Sequence, residues 1–255
     1  MPSHLTLNPE VRGALTVYRV EGALELGVDA FITSRVGGVS SGPYESLNLG
    51  DHVGDDLDRV RENRHRVATA AGVDALTLSR QVHGDQVIEV RHHGDADGIE
   101  SDGLFTSSSA VALAMLVADC VPVLLVDAAS KDFAVVHAGW RGLRAGVLAR
   151  ALARFSLERN LHAFLGPAIG ADRYQVGPEV ASAFTHVAGA VLADTGDRSR
   201  LDLHRIGVHQ LLELGLDDVH IHVCTETTSA DGAFFSDRAV RPCGRFALVA
   251  KRVVT

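Results

Sequence analysis

The chain has 255 residues, 46% of them hydrophobic, and a formal charge of −8 from 24 Lys+Arg against 32 Asp+Glu. That length and apolar content can bury a core without staples, which argues against disorder. The acidic balance, with no run of like charges, lacks the footprint of a nucleic-acid binder. Thirteen histidines could carry the charge from −8 to +5, so surface charge is expected to be pH-sensitive.

The N-terminus MPSHLTLNPEVRG has no apolar core behind a basic region, and the apolar stretch from Val111 to Val126 is broken by Asp119 and Pro122. Three scattered cysteines, Cys120, Cys224 and Cys243, do not make a secreted disulfide framework. A soluble, cytoplasmic protein with no membrane contact is predicted. No repeat or linker divides residues 1–255, so one domain is expected.

In chain order, Ala30 to Ser34 and Leu76 to Arg80 are short apolar-rich runs that predict strands. Between them, Leu57, Val60, Val67, Ala68 and Ala71 recur at helical spacing after Asp55-Asp56 and stop at Gly72. Ile88 to Val90, Val111 to Leu116, Val121 to Asp127 and Phe133 to His137 predict further buried strands. A second helix is marked by Leu143, Val147, Leu148, Leu152 and Phe155. A third is predicted over Gly177 to Ala188 and a fourth over Asp202 to Leu214. Val219 to Val223 and Phe246 to Arg252 are the expected closing strands. Consecutive strands favour sheet layers flanked by helices, an α+β arrangement, over strict βαβ alternation.

Three strand-like segments each end in, or abut, a metal-capable side chain: Gln81-Val82-His83-Gly84, Ala118-Asp119-Cys120-Val121-Pro122 and Val135-Val136-His137-Ala138-Gly139-Trp140. Two imidazoles and a thiolate suit zinc, and three protein ligands leave a fourth position open. The same trio can also be read without metal, with Cys120 as nucleophile and His137 or His83 as its base. A rival set is His220-Ile221-His222-Val223-Cys224, where strand alternation would put both histidines and the thiol on one face. For anions there are Arg35, within Ser34-Arg35-Val36-Gly37-Gly38-Val39-Ser40-Ser41-Gly42, and Arg141, just before a helix. Asp119 and Asp102 are available as proton shuttles. Asn48, between leucines, predicts a turn-former bonding its own backbone.

These segments in this order resemble the laccase-domain, or YfiH-like, family, whose members were first described as polyphenol oxidases. The matching residues are Ser34-Arg35, Gly37-Gly38-Val39-Ser40, Gly42-Pro43-Tyr44, Ser46-Leu47-Asn48-Leu49-Gly50, Asn63-Arg64, Gln81-Val82-His83-Gly84 and Asp102-Gly103. They continue through Ala118-Asp119-Cys120-Val121-Pro122, His137-Ala138-Gly139-Trp140-Arg141-Gly142, Gly166-Pro167-Ala168-Ile169-Gly170 and Val176-Gly177. The resemblance implies a layered α-β-β-α sandwich related to the cytotoxic necrotizing factor toxins, and zinc on His83, Cys120 and His137. It also implies purine nucleoside phosphorylase activity on adenosine, inosine and methylthioadenosine, with phosphate as co-substrate, and adenosine deaminase activity; Arg35 and Arg141 are the candidates to hold the phosphate. Copper oxidase activity, peptidoglycan-precursor editing, Cys-His amidohydrolysis and a non-catalytic zinc module are the alternatives. The oligomeric state is left open, a monomer being compatible. The chain departs from the family pattern at Gln175, Gly207 and Ala239 to Cys243, which touches any substrate contact made by the tail.

Overall fold

The computed structural model describes residues 2–156 and 159–253. Its strands are β1 (Ser3–Leu5), β2 (Leu7–Arg12), β3 (Leu15–Val20), β4 (Val28–Thr33), β5 (Val87–Glu89), β6 (Gly103–Thr106), β7 (Ala112–Val117) and β8 (Val121–Asp127). Then follow β9 (Phe133–Ala138), β10 (Leu161–Leu165), β11 (Gln175–Val176), β12 (Val191–Ala193), β13 (Ser199–Leu201), β14 (Ile221–Cys224) and β15 (Phe246–Arg252). The helices are α1 (Leu57–Ala71), α2 (Trp140–Ala145), α3 (Val147–Leu152), α4 (Pro178–Ala181) and α5 (Leu203–Glu213). A seven-stranded sheet runs β1-β14-β10-β8-β9-β6-β5, a five-stranded sheet runs β2-β3-β4-β15-β7, and β11-β13-β12 form a small third sheet.

The central strands are buried along their whole length, yet they sort their side chains with period two. On β8, Val121, Val123 and Leu125 face the layer of α2, α3 and α5, where Leu143, Leu148, Ile206 and Leu211 meet them. Leu124 and Val126 face the other sheet, packing with Met115, Val117, Phe246 and Leu248. Across β7 the even residues Ala112, Ala114 and Leu116 meet Val67, Ala68 and Ala71 of α1. The layers are therefore α1, five-stranded sheet, seven-stranded sheet, then α2, α3 and α5, the expected α-β-β-α sandwich.

Helix α1 starts where Asp56 accepts from the Asp58 and Arg59 amides, and ends at Gly72 with φ 66. The single helix expected through Phe155 is instead two, broken at Gly146 (φ 89), because a left-handed residue cannot continue an α-helix. The helix expected from Gly177 to Ala188 is only α4 followed by a 3-10 turn at Ser182–Phe184. Leu76 to Arg80 is not a regular strand. It runs beside β7 through an isolated Thr77–Leu113 bridge and is taken over by the Gln81 side chain, which bonds the Leu116 amide and carbonyl at 2.9 and 2.7 Å. No helix among the described residues is long and apolar enough to cross a membrane.

Candidate metal centre

The chain leaves the five-stranded sheet at Val117 and enters the seven-stranded one at Val121, so the turn between them lies at the end of the inter-sheet layer. Asp119 makes the turn with φ 88, and the half-buried Cys120 packs against the inter-sheet core. On β9, Phe133 and Val135 face that same layer, and alternation gives His137 the same side at the strand's end. His83 comes from the loop after Gln81. It is held at φ 59, a conformation costly for a residue with a Cβ.

Asp102 explains how that loop is held. It is wholly buried, and its carboxylate accepts the Val82, His83 and Gly84 amides at 3.2, 2.9 and 2.6 Å. The same group lies 2.8 Å from His137 Nδ1, while its backbone carbonyl accepts the His137 amide at 2.8 Å. Nδ1 of His137 is thereby engaged and Nε2 is left to face Cys120. This is the carboxylate–imidazole arrangement that orients a metal-bound histidine. Asp119 is likewise occupied, accepting the Thr228 and Ser236 hydroxyls and the Arg238 amide. Neither aspartate is free to act as the proton shuttle anticipated from sequence.

The ligand atoms of His83, Cys120 and His137 all lie within 4.8 Å of one another, and among the described residues no other group of three His, Cys, Asp or Glu does so. Exposure falls from His83 through Cys120 to His137, so the trio opens to one side. Burial opposes the Cys120 thiolate, but the charge and hydrogen bonds of His137 and His83 outweigh it and bring the thiol down to about 6. Burial likewise opposes the His137 imidazolium, and the Cys120 and Asp102 charges overcome it, raising His137 to about 9. Two imidazoles, an acidified thiol and a fixed second nitrogen form a donor set that fits zinc with one coordination position left open. Gly139 is what lets the sulfur sit there: a Cβ on it would lie 2.7 Å from Cys120 Sγ.

Around the opening stand residues the sequence named and residues it missed. Arg141 is exposed, with its guanidinium 4.4 Å from the Trp140 ring centroid. Arg35 gives two N–H groups to Glu45 and Ala230 carbonyls and rests over Phe235; its described contacts brace these loops rather than reach the trio. Tyr174 and Arg238 were not singled out. Arg238 lies 5.1 Å over the Tyr174 ring and donates to the Gln175 carbonyl at 2.7 Å. Only their place next to the Gln175 departure and in the divergent tail hinted at them.

The rival histidine set does not converge. His220 ends a 3-10 turn ahead of β14, His222 stacks on Phe164, and the buried Cys224 thiol faces Glu226 at 2.8 Å, burial raising its pKa. Asn48 is a turn-former as expected, exchanging bonds with Gly50. A cleft of about 790 Å³ between α1 and residues 74–81 shares only the Gln81 segment with the trio's surroundings.

Residues 29–252 match the family described as multi-copper polyphenol oxidoreductase laccase. The chain belongs to that family. Within this laccase family, it is 38% identical over 230 residues to "Purine nucleoside phosphorylase YfiH" of Shigella flexneri, covering 88% of this chain and 93% of the relative. A Haemophilus influenzae protein, "Purine nucleoside phosphorylase", is 35% identical over 231 residues, 87% and 93% of the two chains. Among solved structures, Neisseria meningitidis protein NMB0706 superposes with TM-score 0.83 at 34% identity, over 93% of this chain and 99% of that one. The Bacillus licheniformis hypothetical protein YfiH gives TM-score 0.88 at 28% identity, over 96% and 99%.

Proposed function

We propose that this laccase-family protein is a zinc-dependent purine nucleoside phosphorylase of the cytoplasm, acting on adenosine, inosine and methylthioadenosine and also deaminating adenosine. The observation that carries the metal-centre reading is the open His83, Cys120, His137 set with Asp102 fixing His137. The names of relatives at 35–38% identity supply the substrate class. The three unpaired cysteines agree with a reducing compartment.

In phosphorolysis the C1′–N9 bond of the nucleoside breaks, a bond from C1′ to a phosphate oxygen forms, and the proton of hydrogen phosphate ends on the departing purine. Held by His83, Cys120 and His137, zinc would supply Lewis acidity to a phosphate oxygen, a ribose hydroxyl or water at its open position. Asp102 keeps the His137 ring and the His83 loop in one geometry, so no reorganisation is needed when substrate arrives. Arg141, exposed and without an ion-pair partner among the described residues, is the cation for phosphate. Arg35, also expected there, acts through the loops it braces.

The test is incubation of zinc-replete protein with adenosine, inosine or methylthioadenosine, with and without phosphate, followed by chromatography of the bases and nucleosides. Phosphate-dependent adenine from adenosine is the expected product; phosphate-independent inosine would mark deamination. Absence of both would remove the purine assignment. The acidified Cys120 beside His137 favours a second reading, a Cys-His amidohydrolase. That enzyme would keep its activity in chelator and lose it on alkylation of Cys120.

A further inference from the structure

We propose that Arg238 is the second cation of an anion clamp at the metal centre, closing with Arg141 on a tetrahedral anion over Tyr174. That the anion is inorganic phosphate rests on the phosphorylase reading; the clamp itself rests on the anchoring of both arginines beside Cys120.

Both arginines are tied to the backbone next to Cys120. Arg141 is two residues from Gly139, where an added Cβ would lie 2.7 Å from Cys120 Sγ. Arg238 is drawn in by its amide, which donates to Asp119 at 2.6 Å, and Asp119 is the residue before Cys120. Ser236 bonds the same carboxylate at 2.7 Å, so the tail is fixed on either side of Asp237.

Both guanidiniums also have N–H groups to give. Arg238 spends one on the Gln175 carbonyl, and Arg141 spends none among the described residues. Neither is in a described ion pair, in contrast to Arg64 with Asp51 and Arg245 with Asp237. Asp119, whose carboxylate holds the Arg238 amide, is already occupied by its three donors, and Asp237 pairs with Arg241 and Arg245. Tyr174 joins the two sides. Its ring packs with Trp140 against the same helical core and carries Arg238 on its face. Its phenol lies within electrostatic range of Cys120, Arg238 and Arg141 alike. Two forked cations and one fixed O–H around an opening match the several acceptor oxygens of a tetrahedral dianion.

Titration calorimetry with inorganic phosphate on the full, metal-loaded chain tests this at fixed ionic strength. Arg238→Gln and Arg141→Gln are each expected to weaken phosphate at least tenfold, with part of the loss restored in Arg238→Lys. Arg91→Gln, which removes an exposed charge paired with Glu89, should leave binding unchanged. In turnover, the KM for phosphate should rise in Arg238→Gln while the KM for nucleoside stays within twofold. Wild-type phosphate affinity in Arg238→Gln, or no phosphate binding by wild type, overturns the clamp. Should Arg238→Gln melt early, the Arg238→Lys and Arg141→Gln variants carry the same comparison. Phosphate binding that needs both arginines, without any nucleoside cleavage, would leave the clamp standing and remove the phosphorylase reading.

Discussion

Asp102 has four partners for two carboxylate oxygens: three amides of the His83 loop and the His137 ring. Asp102→Asn keeps the shape but turns one acceptor into a donor, so either the Val82 and Gly84 amides or the His83 amide and His137 Nδ1 lose their acceptor. Zinc affinity, measured by competition with a chromogenic chelator, is expected to fall about 10- to 100-fold, the usual cost of losing such a partner. The Cys120–His137 pair makes a different prediction in metal-free protein. Cys120 moves from 9.0 to about 6 and His137 from 6.5 to about 9. Between pH 6.5 and 9, folding therefore passes a proton from thiol to imidazole without exchange with solvent. The His137 contribution to stability is lost as pH rises through 9, where the Cys120 contribution is completed, so the two cancel. Where the unfolded imidazole has gained its proton and the folded thiolate has not, the folded state holds fewer protons than the unfolded one, and there stability falls with falling pH. The pair should thus be nearly silent in melting-temperature profiles but visible as thiolate absorbance near 240 nm, with a midpoint near pH 6. In His137→Gln, burial unopposed by that imidazolium should lift the midpoint several units.

At the level of elements, two glycines do separate jobs. Gly146 has φ 89 and open space where a Cβ would go, so Gly146→Ala pays for backbone conformation alone. A loss of about 1–2 kcal/mol, seen as a melting shift of about 2–8 °C, is expected with the metal centre intact. Gly139 has an ordinary backbone but faces the Cys120 sulfur, so Gly139→Ala should cost metal first. Zinc content by atomic absorption should drop while circular dichroism remains that of wild type. The sequence showed α1 and α5 clearly because each carries an aspartate cap and an apolar stripe, Asp56 before α1 and Asp202 before α5. It hid the break at Gly146 because Leu143, Val147, Leu148 and Leu152 still share one buried face across it. Residues Leu76 to Arg80 looked like a strand because they do lie along β7, but a side chain replaces the backbone in the last pairing. The N-terminal strands went unnoticed because β2 is mostly exposed and carries Pro9, Asn8 and Glu10, residues with little strand preference. For the site, His83, Cys120 and His137 were legible from motif and family resemblance. Asp102 was visible as a motif residue without its role, since a cross-strand partner 35 positions away leaves no local pattern.

Over the whole molecule, the metal centre lies where the two sheets exchange a strand and where the tail returns to the β7–β8 turn. Asp119 is the fastening. Its carboxylate serves the buried hydroxyls of Thr228 and Ser236 and the amide of Arg238. Asp119→Ala leaves those donors without an acceptor and should cost at least about 2 kcal/mol. Limited proteolysis should then cut within residues 228–240 faster than in wild type, with the two-sheet body resistant. β15 adds a consequence of another kind. It is the last strand in the chain, yet it sits between β4 and β7, pairing with both. On the ribosome, the five-stranded sheet therefore has a gap between β4 and β7 until residues 246–252 have been made. Until then β7, which leads into the Cys120 turn, has only the residue 76–81 segment beside it, so a nascent chain should acquire the geometry of that turn only after β15 has emerged.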